Sequence, residues 1–135
     1  MALIVVKTGS QELLKRALNV SATGNVVLKL FKSNTTIAET TVVGDLTEAD
    51  FTGYSAATLT GSSFTVSGDD PAEAVYGSVS EFTSSAGSQN QNVYGYYVVN
   101  GAGTILLWAE NFTDGPYNIA NNGDKIQVTV KLTLD

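Results

Sequence analysis

Carboxylates are the side chains through which this chain could do hydrolytic chemistry. None of its 135 residues is a histidine or a cysteine, so the usual general base and the usual thiol nucleophile are both missing. Glu73, Glu81, Glu110 and the pair Asp69-Asp70 could supply the two carboxyl groups of a glycosidase, which must stand at a fixed separation across the scissile bond. Nothing in their spacing sets that separation. Acids at turns and strand ends keep edges solvated, and that is the role expected here, with Glu110 closing a strand.

The remaining motifs reduce to structure in the same way. Asp69, Asp70, Asp114 and Asp124 offer oxygen ligands of the kind calcium takes, but no spacing matches an EF-hand loop, and they read as turn aspartates. Gly53-Tyr54-Ser55 lacks the second glycine of a nucleophile elbow and any histidine to activate the serine. Gly101-Ala102-Gly103 precedes a strand, where a dinucleotide loop would precede a helix. Asn19, Asn34 and Asn111 each begin an Asn-x-Ser/Thr pattern, which carries meaning only in a secreted chain. No enzymatic activity, cofactor or metal is expected.

Seven basic against thirteen acidic residues give a net charge of −6, which repels polyphosphate and argues against nucleic acid as a partner. Lys15-Arg16, the one adjacent basic pair, reads as the cationic last turn of a helix. The opening Met-Ala-Leu-Ile-Val-Val meets a lysine at position 7, too short an apolar run for a signal peptide or a membrane span. A chain made in the cytoplasm, with no membrane association, is expected. The absence of cysteine leaves the redox compartment open.

The large apolar side chains concentrate between Gln91 and Glu110, and this stretch reads as a central β-hairpin. Residues 93–99 and 104–108 are β-branched, aromatic or aliphatic apart from Gly95, and Asn100-Gly101 suits the positive φ angles of a tight turn. Two registers fit, with Val99 opposite Thr104 or opposite Ala102. Both put Val93, Gly95, Tyr97 and Val99 on one face with Leu106 and Trp108, and Tyr94, Tyr96 and Val98 on the other with Ile105, Leu107 and Ala109. In the longer-loop register Trp108 would cover bare Gly95. Since both faces are apolar, each needs a covering layer or a second subunit.

Elsewhere, Thr8 and Gln11 suggest a capping box for a short amphipathic helix with Leu13, Leu14, Ala17 and Leu18 on one face, ending near Asn19. From Val26 the period becomes two, and two meander strands are expected before Val43. Asp45 and Glu48 could cap a turn that pins Leu46 and Phe51 inward. Weakly alternating strands over 54–67, a turn at Asp69-Asp70-Pro71, a strand over 74–82 and an exposed loop over 84–92 follow. Residues 111–122 read as a long connection anchored by Phe112, Tyr117 and Ile119. Ile126, Val128, Val130, Leu132 and Leu134 then alternate cleanly with polar residues, giving one buried and one wet face. The expected fold is all-β, an antiparallel, jelly-roll-like β-sandwich with one short N-terminal helix, divided into an arm and helix at 1–20 and a sandwich domain at 21–135.

Leu28 to Asn34, Val43 to Tyr54, Val93 to Val99, Leu106 to Glu110 and the run Gly123 to Val128 together resemble a group of small structural proteins of tailed bacteriophages. The resemblance spans about residue 10 to the C-terminus and implies a virion component, a decoration or cement protein of the head. Its implied partner is the major capsid protein, and it implies a homo-oligomer, a trimer favoured over a dimer. On this reading Leu3, Ile4, Val5, Val6, Leu14 and Leu18 would contact the capsid, and Tyr94, Tyr96, Tyr97 and Trp108 would form the subunit interface. The alternatives are a head-fibre or tail adhesin, a carbohydrate-binding module, and a carboxylate-only glycosidase.

Overall fold

The computed structural model describes residues 3–17, 25–68 and 72–134, without the side chains of residues 11 and 14–17. In chain order the elements are β1 (Ile4–Val5), α1 (Lys7–Ala17), β2 (Val26–Phe31), β3 (Ala57–Leu59), β4 (Phe64–Ser67), β5 (Ala72–Tyr76), β6 (Ser80–Thr83), β7 (Gln91–Val93), β8 (Gly95–Asn100), β9 (Leu106–Asn111), β10 (Tyr117–Ile119), β11 (Lys125–Val128) and β12 (Lys131–Leu134). All pairings are antiparallel. The fold is the expected all-β sandwich with one short helix.

A five-stranded sheet in the order β1-β9-β8-β2-β3 forms one layer. The other is assembled from β12-β5-β4, β11-β6 and β10-β7. Here β5 and β6 run against β12 and β11 as one bent ribbon, with a bond from the Tyr76 amide to the Val130 carbonyl at the bend (2.9 Å). The single strands expected over 74–82 and 125–134 are thus each broken once.

The central hairpin forms, with a register of its own. The Asn100 amide donates to the Ile105 carbonyl (3.0 Å), and the Asn100 side-chain oxygen accepts from the amides of Thr104 (2.8 Å) and Ile105 (3.0 Å). Positive φ falls on Gly103, at 75°, and not on Gly101. Val99 lies opposite Leu106 but Val98 lies opposite Trp108, so Leu107 is an inserted residue and β9 carries a bulge. Beyond the bulge the faces exchange. Trp108 joins Tyr96 and Val98, while Ala109 sits opposite Tyr97. Gly95 is covered by Phe31, its cross-strand partner on β2, and not by Trp108.

Both faces are buried by the chain itself. Leu28, Leu30, Tyr96, Val98 and Trp108 pack on Phe51, Phe82, Ile126, Val128 and Val130 between the layers. On the outer face Phe31, Tyr97, Val99, Leu106 and Ala109 are covered by Val6, Ile37 and Leu46. Ile37 comes from the stretch expected to be a second meander strand. Instead its backbone is held by the Asn111 side chain, which accepts from the Ile37 amide (3.0 Å) and donates to the Thr35 carbonyl (2.8 Å).

Helix α1 starts at Lys7, ahead of Thr8, whose hydroxyl donates to the Leu106 carbonyl (3.2 Å) in place of capping the helix. Gly9 packs against the bulge, since a Cβ there would lie 2.0 Å from the Leu107 carbonyl oxygen. Residues 4–17 are thereby built into the sandwich and are not an arm ahead of it. Asp45 accepts from the Val42 amide (2.9 Å) as expected of a cap, but Glu48 pairs with Lys29 (2.9 Å). Leu46 and Phe51 are buried as expected. The 84–92 loop is tied down. Ser84 is buried, and Gln89 bonds the Thr52 amide and, at 3.0 Å, the Ala86 carbonyl. The helix end near Asn19 and the 69–71 turn lie outside the described residues.

A Cβ at Gly95 would stand 2.1 Å from the Glu110 carbonyl oxygen and 2.6 Å from the Phe31 ring. Gly95→Ala should cost about 3 kcal/mol, read as a lower denaturation midpoint at unchanged slope. Val6 is fully buried, and Val6→Ala should cost about 2 kcal/mol in the same measurement.

Candidate functional site

A surface that folding leaves apolar lies on the sheet β12-β5-β4. The register sets Phe64 opposite Tyr76, Ala74 between Val66 and Leu132, and Ala72 opposite Leu134. Opposed residues share a face, so these seven form one apolar side. Thr65, Ser67, Glu73, Val75, Lys131 and Thr133 occupy the other, where Glu73 and Lys131 form an ion pair. The inner end of the apolar side joins the core through Phe64, Tyr76 and Leu132, the two rings meeting edge to face at 5.0 Å. Its outer end is open, with Val66 72% and Leu134 53% exposed.

Between the ends lies a cavity of about 170 Å³ lined by Leu13, Leu59, Phe64, Leu107, Trp108 and Leu132. The Trp108 indole N–H is buried and meets no acceptor among the described residues. An unpaired buried donor is costly, and Asn25 adds a polar side chain to the cavity wall. The open end of this face can take an apolar segment. It suits adhesion.

Of the residues expected to contact the capsid, Ile4 and Val5 pair with Ala109 and Trp108 as the sheet edge, Leu3 is half-buried, and Val6 is fully buried. The Leu14 side chain and Leu18 lie outside the described residues. Of the expected subunit interface, Tyr96, Tyr97 and Trp108 are core and Tyr94 is half-buried. The chain's own second layer and N-terminal segment take the covering role assigned to another subunit. Val66 was not singled out from sequence, and Leu134, expected on the buried face of the last strand, is exposed instead because it lies at the open end of the sheet. Their short alternating runs meet only through the pairing of strands distant in the chain.

Each described acid considered for hydrolysis has a partner, Glu73 in its ion pair with Lys131. Glu81 bonds Gln127 (2.8 Å), Lys125 (3.2 Å) and Thr83 (3.1 Å), which hold its carboxyl below the usual range. Glu110 accepts from the Tyr96 hydroxyl (2.9 Å). Asp124 accepts from the amides of Asn121 (2.7 Å) and Ala120 (2.9 Å), bonds that lower its pKa. Asp114 sits on an exposed turn, and Asp69 and Asp70 lie outside the described residues. No group of three or more acidic, histidine or cysteine side chains gathers among the described residues, and no described helix is long and apolar enough to cross a membrane.

Comparison of the chain with family models, curated proteins and solved structures found no match.

The buried phenols dictate a response to alkali. Burial, then the charge of Glu48, pushes Tyr97 up to about 12 from an ordinary 10.0. Burial likewise raises Tyr54, and for Tyr96 the Glu110 carboxylate adds to it. A phenol whose folded pKa exceeds its unfolded one stabilises the fold fully below about pH 10 and loses that contribution as pH rises toward 12. Ultraviolet titration should show tyrosinate from these three residues appearing together with loss of the β circular dichroism signal.

Proposed function

We propose that this chain is a non-catalytic structural protein of a tailed-phage virion, a decoration or cement protein docked on the assembled head through the apolar face of β4, β5 and β12. The observation that carries the reading is that open face, with Val66 and Leu134 exposed on one apolar side of the sheet. Exposed contiguous apolar surface on a folded domain marks an interaction site. The segments that resemble phage structural proteins are β2, the Leu46 and Phe51 anchors, β8, β9 and β11, so the likeness concerns the scaffold that carries the face. The acids' structural bonds support a binding role over turnover.

The mechanism is linkage. A protein that binds the assembled shell and not the free capsid subunit stabilises the shell by mass action. Burying side chains as exposed as Val66 and Leu134 contributes about 1–2 kcal/mol each, modest for one copy. A homo-oligomer, with a trimer favoured, multiplies it through effective concentration. The same face serves the capsid protein here, in place of residues 3–6, which the sheet already uses. The virion is then the protein's location.

The test is co-sedimentation with assembled heads and with unassembled capsid protein. Wild-type protein should pellet with heads alone. The double variant Val66→Glu, Leu134→Glu should lose about tenfold or more in affinity, with unchanged circular dichroism and melting temperature. Absence of wild-type binding to heads would reject the reading. Binding undiminished in the double variant would reject the face.

A further inference from the structure

We propose that the cleft between β10 and β11 is a carbohydrate subsite that takes one or two rings of a neutral oligosaccharide. This site lies apart from the head-docking face and does not rest on it. β10 pairs with β7 and β11 with β6. From the 120–124 turn the two strands diverge around a cleft of about 450 Å³, a volume within the range of small-molecule sites.

The apolar part of the cleft is aromatic. Phe112 and Tyr117 lie with ring centroids 5.0 Å apart at 48°, above the buried Ile119 and Ile126. Tyr117 is 41% exposed, whereas Tyr96 and Tyr97 are buried. A pyranose ring has one face of C–H bonds with partial positive charge, which suits the negative face of an aromatic ring. The Tyr117 hydroxyl bonds no described residue, and a ligand hydroxyl can take it.

The polar wall is held in place and still has open valences. The Asn118 amide nitrogen donates to the side-chain oxygens of Asn90 (2.9 Å) and Asn92 (2.9 Å). That uses both of its hydrogens and leaves its own oxygen as an acceptor. Gln127 donates to Glu81 (2.8 Å) and likewise keeps its oxygen. Asn90 adopts φ 49° and Ser88 φ 59°, left-handed conformations uncommon outside glycine. The Gln89 amide donates to the Ala120 carbonyl (3.2 Å), which ties this loop to the end of β10, while the Gln89 side chain bonds the Thr52 amide and the Ala86 carbonyl. Planar amides fixed before binding present both donors and acceptors, as sugar hydroxyls require, at little ordering cost.

Charge selects against anionic sugars. Lys125 is paired with Glu81 (3.2 Å), Asp124 lines the cleft, and the whole chain carries −6. An extended peptide adding to the free strand edges would use pockets for alternate side chains, and side-chain amides flank this cleft instead.

The experiment is NMR titration of the full chain with neutral tetrasaccharides built on glucose, mannose, galactose and N-acetylglucosamine, and separately with an alternating apolar peptide. At least one tetrasaccharide should shift the amides of 117–119 and 124–127. Tyr117→Ala should weaken binding about tenfold, and Tyr117→Phe, which keeps the ring, within about threefold. Val66→Glu should leave sugar binding unchanged, which separates this site from head docking. The proposal fails if no sugar moves those amides, if Tyr117→Ala binds as well as wild type, or if the peptide alone binds there.

Discussion

A hairpin with tyrosine, valine, leucine and tryptophan on both sides must be shielded twice, and the rest of the molecule is arranged to do so. The inner side receives the second layer through Phe82, Ile126 and Val128. The outer side receives a patchwork of Val6, Ile37 and Leu46, drawn from three stretches without long strands. Lacking a ladder, that patchwork is secured by point contacts, above all the Asn111 amide that bonds the backbone at Thr35 and Ile37. A side-chain amide there does what a neighbouring strand would otherwise do.

The bulge at Leu107 reconciles these demands. Without it Trp108 would point outward with Tyr97 and Leu106, and the thin outer cover would have to bury an indole. One inserted residue rotates the tryptophan between the layers and brings the small Ala109 outward. It also makes the flat seat on which Gly9 of α1 rests. The same rotation leaves the indole N–H without an acceptor among the described residues.

What could be read in advance follows from how local each determinant is. The alternation of Val26 to Phe31 and of Ile126 to Val130 records burial face by face, and those residues lie where the period of two puts them. The hairpin itself is written in its composition. The bulge is invisible because Leu106 and Leu107 are both apolar, so an extra residue leaves no break in the pattern. Asn111 reads as part of an Asn-x-Thr motif, and its clamp on Ile37 spans 74 residues of chain. The arm at residues 3–6 looks unattached in sequence, because its partner β9 lies a hundred residues away. The open apolar face and the Tyr117 cleft are products of register and of diverging strands, properties that no single segment contains.

The pairing plan also fixes an order of events during synthesis. β1 waits for β9, β5 for β12 and β6 for β11, so for most of translation the nascent chain holds apolar strands with no mates. Closing such distant contacts is slow, because loop entropy must be overcome before any ladder forms. The second layer therefore cannot close until β11 and β12 have been made.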